Sequence, residues 1–158
     1  MGIDPGKDGA IAFTGSDEKI HIKDMPTLET QTKKTKKRYF DPIATSEMIK
    51  EICPTTAYIE KVHAMPKQGV SSMFNMGYGL GMLEGILSVI GVVTIRITSQ
   101  EWKKNVLKGY PKGKGFSVKK AEELYPYLAS QLKTKRGKTL DGRADAICIL
   151  HYGMQKKF

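Results

Sequence analysis

The chain has 158 residues, 40% hydrophobic and 27% charged, enough for one domain with its own core. Its net charge of +10 is concentrated in three windows, Lys33–Arg38, Lys103–Lys120 and Lys133–Lys138. These hold 16 of the 26 basic residues and no acid, leaving 10 bases against 16 acids, a net of −6, elsewhere. Such a surface favours a polyphosphate partner, on which lysines displace condensed counterions, over an anionic membrane, because no basic window carries a long amphipathic apolar face.

The opening stretch GIDPGKDGAIAF puts an aspartate, Asp4, where a buried strand would favour valine. Ile11–Phe13 and Lys19–Lys23 then read as two strands joined by a TGSDE turn. Asp24–Phe40, polar and basic, reads as a mobile loop. Asp41-Pro42 signals a helix start, with the helix running to about Ile52 and stopping before Pro54. Thr55–Val62 (TTAYIEKV) has the content of a buried strand.

Residues 71–91 read as a helix ending at Gly91, with Gly77, Gly81 and Gly85 recurring every four residues along one face. Each costs roughly 1 kcal/mol of helix propensity against alanine. Close approach of another backbone would offset that cost, from a strand of the same chain, taken first here, or from a second subunit. Met73–Val93 also contains Asn75 and Glu84, which argues against a membrane span.

Val92–Ile97 is a further buried strand. Ser99 is expected to cap the helix QEWKKNVL, and Ser117 the helix VKKAEELYPYL, with YPKGKG and KTKRGK as loops. From about Asp141 the pattern is helical almost to the end. Strands that first meander and then alternate with helices imply one mixed sheet with helices on its faces. Cys53 and Cys148 lack metal-ligand spacing and read as reduced, buried thiols of a cytoplasmic protein; no signal peptide is read.

The acids carry the chemical signal. Asp4 follows Gly2-Ile3, Glu60 interrupts YIEKV, and Asp141 and Asp145 share one face of the last helix before Ala146, Ile149 and Leu150. Singly, each has a structural reading: a cap for the Pro5-Gly6 turn, a cross-strand lysine pair, a helix cap. Together they form a set of carboxylates in apolar elements, where an unpaired one is costly or takes up a proton. A hard divalent cation, Mg²⁺ or Mn²⁺, turns their repulsion into binding, and no His/Cys cluster offers zinc. Two such ions roughly 4 Å apart can activate water and stabilise a leaving oxygen in attack on phosphate. Acids for metal inside a basic surface are the layout of a nuclease.

GIDPG, IEKV and DGRADAICI, in this order, resemble the RuvC-type Holliday junction resolvases of the ribonuclease H-like superfamily. The DGRADA ending is most similar to bacteriophage-encoded members. The resemblance implies an α/β fold, a ribonuclease H-like mixed sheet flanked by helices on both faces, over residues 1–158 as one domain. It implies a homodimer joined through the glycine-bearing helix. The activity implied is metal-dependent nicking of two opposing strands of a four-way DNA junction, and of other branched DNA such as forks and flaps, leaving 5′-phosphate and 3′-hydroxyl ends. Asp4, Glu60, Asp141 and Asp145 would hold the ions, with Lys103 and Lys120 (or Lys119) near the scissile phosphate. The DNA track would comprise Lys33, Lys34, Lys36, Lys37, Arg38, Lys103, Lys104, Lys112, Lys114, Lys119, Lys120, Lys135 and Arg136, with His63 where the family often carries an aromatic wedge. No organic cofactor is implied, and the compartment would be the cytoplasm, a bacterial host's for a phage protein.

Three features depart from the family pattern. Only three residues precede Asp4, the C-terminal acids are four rather than three apart, and His63 replaces the aromatic. Of other readings, a non-catalytic binder of branched DNA on the same fold predicts a missing or displaced carboxylate. A glycosidase is opposed by the charge, and an actin- or sugar-kinase-like ATPase by the chain length. Trp102 reads as core; His21 and His151 have no visible partner.

Overall fold

The structure, a computed structural model, describes residues 1–31, 36–63, 69–111, 113 and 115–156. The first hairpin forms where alternation predicts it. Strands β1 (Gly2–Asp4), β2 (Ala10–Thr14) and β3 (Ile20–Asp24) pair as an antiparallel meander. The strands β6 (Thr56–Glu60) and β7 (Val93–Ile97) add in parallel to the other side of β1, giving the order β3-β2-β1-β6-β7. β1 is three residues long, yet it is paired on both edges, and Ile3 is fully buried.

Period-two alternation sends side chains to two separate cores. Ile3, Ile11 and Ile59 face helices α1 (Pro42–Ile52) and α2 (Val70–Ile90), where they meet Met48, Ile49, Leu83 and Leu87. Ala10 and Ala12 face the opposite layer, which holds α4 (Phe116–Leu124), a 3-10 helix (Pro126–Gln131) and α5 (Asp141–Gln155). Tyr58 and Ile97 join that layer through α3 (Ser99–Val106), packing with Trp102, Cys148 and Tyr152. Helices on both faces of a mixed sheet are the expected architecture.

Small residues set how closely α5 sits on the sheet. A Cβ at Gly2 would stand 2.3 Å from the Leu150 backbone nitrogen, so only glycine lets the helix cross over β1. At the start of α1, Asp41 accepts bonds from the backbone N–H groups of Ile43 (3.1 Å) and Ala44 (3.0 Å), and Pro42 occupies the first turn. Gly91 ends α2 with φ of 84°.

Several expectations are corrected. Asp24–Phe40 is not a loop throughout: β4 (Thr27–Gln31) and β5 (Lys36–Phe40) form an antiparallel ribbon. Both its faces are largely exposed, so it lacks the apolar alternation that reveals a strand, and pairs such as Leu28 with Tyr39 and Glu29 with Arg38 carry it instead. Thr98, not Ser99, caps α3, its hydroxyl accepting from Glu101 N–H at 3.2 Å. Ser117 lies buried inside α4, which starts after Gly115. Cys148 is buried but Cys53 is exposed. His21 and His151 both have partners, Asp17 for the first and Tyr125 and Gln155 for the second, at 2.8 to 2.9 Å.

The glycine face of α2 corrects the reading of intrachain packing. Nothing in the described chain lies within 4 Å of a Cβ built at Gly77, Gly81 or Gly85. Phe74 and Tyr78, 69% and 61% exposed, stack on each other along the same helix. By length and composition α2 is also apolar enough to cross a membrane. Leu83 and Leu87, however, bury its other side in the domain core.

Candidate active site

β1 and β6 run parallel with Gly2 beside Tyr58 and Ile3 beside Ile59. One further step in this register sets Asp4 next to Glu60 at the carboxyl ends of both strands. Gly2 meets Leu150 of α5 and Tyr58 meets Gly153 of the same helix, so Asp4 and Glu60, two residues on, project to the α5 side. Asp145, on α5, completes the group from above.

Asp145 acts on both of the other carboxylates. Burial pushes the Asp4 carboxyl up to about 7, reinforced by the charges of Asp145 and Glu60 and opposed by Lys103. Glu60 is raised by burial and by Asp145, against Lys103, Trp102 and Ser99. Burial also raises Asp145, while the Ser117 side chain and Lys103 pull it down. Desolvation dominates throughout; Asp145 adds to the reluctance of Asp4 and Glu60 to ionise, Glu60 to that of Asp4, and Asp141 to that of Asp145.

Asp145 Oδ1 is buried without a hydrogen-bond partner. A desolvated carboxylate oxygen left unbonded beside two other acids fits a hard cation, and an all-oxygen donor set selects magnesium or manganese over zinc. Among the described residues, no three Asp, Glu, His or Cys side chains are drawn up into a finished cage. The donor chemistry fits such an ion; the closed geometry does not pre-exist.

The other predicted residues divide. Asp141 is exposed in the first turn of α5, and its charge reaches Asp145. Its position also suits the positive end of the helix dipole. Lys103 is the ammonium whose field reaches all three buried acids, and it lies 4.9 Å from the Trp102 ring centre. Lys120 is directed elsewhere: it is 3.6 Å from Glu123, stacks over Tyr110, and acts on Cys148 and His151. Lys119 stacks over Phe116, leaving its ammonium at the surface.

Lys104, Lys135, Arg136 and His63 are exposed. Lys36, Lys37 and Arg38 lie on β5, Lys36 paired with Glu29 at 2.6 Å. Arg38 bonds to the Asp8 carboxylate and donates to the Lys7 carbonyl at 3.1 Å, tying the ribbon to the turn that follows Asp4. Lys33, Lys34, Lys112 and Lys114 lie outside the described residues.

Sequence reasoning missed Gly142. A Cβ there would stand 2.3 Å from the Asp8 carbonyl oxygen and 3.1 Å from Asp4 Oδ2, so glycine is what lets α5 start against the Asp4 turn. Its place between two acids in DGRAD was the available signal. Ser117 was taken for a cap and instead faces Asp145. A concavity of about 540 Å³, bounded by Glu84, Ser88 and Arg96, lies between α2 and β7 and is not lined by Asp4, Glu60 or Asp145.

No protein-family model and no curated protein matches the sequence. Among solved structures, Thermus thermophilus RuvC superposes with a TM-score of 0.60 at 10% identity, over 98% of this chain and 93% of that one. The fold is RuvC-like. T. thermophilus RuvC in complex with a Holliday junction substrate gives 0.59 at 12% identity, over 96% and 89% of the two chains. The yeast mitochondrial Holliday junction resolvase gives 0.51 at 12%, over 98% and 79%. At these identities the RuvC likeness is one of fold, and any chemistry rests on the buried acids and Lys103.

Proposed function

We propose that this chain is a metal-dependent, structure-selective endodeoxyribonuclease that resolves Holliday junctions and acts on other branched DNA. One observation carries the reading. Three desolvated carboxylates from separate elements, Asp4, Glu60 and Asp145, lie within electrostatic reach of one another and of Lys103. Basic segments on a RuvC-like fold support DNA as the substrate, and the likeness to a RuvC solved with a Holliday junction supports a branched form.

Asp4, Glu60 and Asp145 would hold Mg²⁺ or Mn²⁺, with Asp141 a peripheral fourth acid. The bound ions would supply an activated water and a stabilised leaving oxygen for phosphodiester hydrolysis to 5′-phosphate and 3′-hydroxyl ends. Lys103 offsets negative charge at the reacting phosphate. Exposed Lys36, Lys37 and Lys104 hold the flanking strands.

A homodimer through α2 is part of the proposal. The uncovered glycines, with exposed Phe74 and Tyr78 beside them, suit close approach of a second backbone. Glu84 on the same helix is neutralised by Arg96 at 2.5 Å, which lowers the electrostatic cost of pairing two copies.

The test is nicking of synthetic four-way junction, flap, fork and duplex DNA side by side in Mg²⁺ or Mn²⁺. Wild-type protein is expected to nick the junction, and Glu60→Gln to bind it without cutting. The open arrangement of the acids favours one second reading, a non-catalytic binder of branched DNA. Junction binding with no nicking by wild-type protein in either metal would establish that reading instead.

A further inference from the structure

Glu60 pairs with Ile97 across the β6–β7 ladder, and the Lys61 N–H closes that end by donating to the Ile97 carbonyl at 2.7 Å. The chain then passes through the Thr98 cap directly into α3. Ser99 and Trp102, three apart in its first turn, therefore share the helix face beside Glu60. Trp102 is completely buried, and its indole N–H has no hydrogen-bond partner at full bonding geometry.

A buried, unpaired N–H is uncommon and costly in a packed core. The carboxylate of Glu60 is near enough for the indole to favour its ionised form, yet no complete hydrogen bond joins the two groups. The indole also lies beneath the Lys103 ammonium. Reorientation of the Glu60 carboxyl group toward the indole would complete the bond. One oxygen would then be fixed by Trp102, leaving the other for a cation shared with Asp4 and Asp145.

We infer that Trp102 is a positioning residue whose indole N–H orients the Glu60 carboxylate for cation binding. This rests on the metal-site reading above and deepens it. The unpaired N–H is then a preorganised donor, kept dry by the core and waiting on one partner. Hydrogen-bonded partners of metal ligands commonly govern affinity through ligand orientation.

The chain contains one tryptophan, so global replacement of that amino acid alters this position alone. Substituting benzothienylalanine for Trp102 keeps the bicyclic shape and replaces N–H by sulfur. Mn²⁺ affinity, read from the electron paramagnetic resonance of the free ion without DNA, is expected to weaken about tenfold. In a Glu60→Gln background the same replacement is expected to cause no further loss. Unchanged affinity, or an equal loss in that background, would overturn the inference while leaving the metal site standing. Absence of any Glu60-dependent Mn²⁺ binding in wild-type protein would overturn both.

A second measurement covers failure of the replaced protein to fold. In otherwise wild-type protein carrying 5-fluorotryptophan, Mg²⁺ is expected to shift the fluorine resonance, and Glu60→Gln to abolish the shift. A resonance indifferent to Mg²⁺ in protein that binds Mn²⁺ through Glu60 would refute the role of Trp102.

Discussion

Gly142 holds the start of α5 against Asp4: a methyl group added at 142 would stand 3.1 Å from Asp4 Oδ2 and 2.3 Å from the Asp8 carbonyl oxygen. The second contact is with backbone, which cannot swing aside as a side chain can. Gly142→Ala is therefore expected to push α5 off the Asp4 turn. The cost in stability is about 1 to 3 kcal/mol, the range for overpacking a filled site. Thermal unfolding and metal-dependent nicking measured together should both fall; a variant with wild-type values for both would show that the turn yields freely.

Lys103 and Lys120 should separate in a nicking assay. Lys103 acts on all three buried acids, whereas Lys120 is engaged with Glu123 and Tyr110. Lys103→Ala is expected to slow cleavage on the order of a hundredfold, as loss of a preorganised charge does. Lys120→Ala should change it little. The reverse ranking would mean that α4 rather than α3 faces the reacting phosphate.

Asp4 sets a pH dependence with a definite sign. Its ordinary value of 3.8 is raised to about 7, so between those values the folded chain keeps a proton that the unfolded chain has shed. The contribution of Asp4 to the stability of metal-free protein should therefore fall as pH rises from about 4 to about 7 and level off above, opposed from about pH 6 upward by the Met1 amine, whose value is lowered from 8.0 to about 6. Cation binding displaces that proton, so Mg²⁺ affinity should rise over the same interval. Asp4→Asn should remove this contribution, so the stability of wild type relative to the variant should fall through this window, and a difference that is flat or climbs would contradict the burial of Asp4.

Gly81→Arg places a long charged side chain on the uncovered face of α2. Sedimentation velocity is expected to show a dimer for wild-type protein and a monomer for the variant, with the circular dichroism of the fold unchanged. A variant that still dimerises would move the interface away from α2.

Junction binding should weaken steeply with salt. Replacing Lys36 and Lys37 together by alanine should reduce the slope of log affinity against log salt by about two, one phosphate contact each. An unchanged slope would take the β4–β5 ribbon off the DNA.

Much of this arrangement was legible because the signals were local. Asp41-Pro42 and Gly91 delimit helices through chemistry confined to one turn. GIDPG and YIEKV place acids in strands whose neighbours are visibly apolar. What escaped depends on distant parts of the chain. The β4–β5 ribbon has no buried face to write a pattern into its sequence. Ser117 looks like a cap until α5 packs beside it. The roles of Gly142 and Trp102 exist only once α5 meets the Asp4 turn and α3 meets β6. Lys103 and Lys120 are alike as letters, and only helix packing separates their surroundings.

The seat of Asp145 on α5, laid across the very first strand, also bears on the protein's birth. A ribosome-tethered fragment that has not yet released residues 141–155 has Asp4 and Glu60 but nothing to close over them. The proposed metal site is thus incomplete until α5 has emerged, and on that reading a product truncated before Asp145 would not cut DNA.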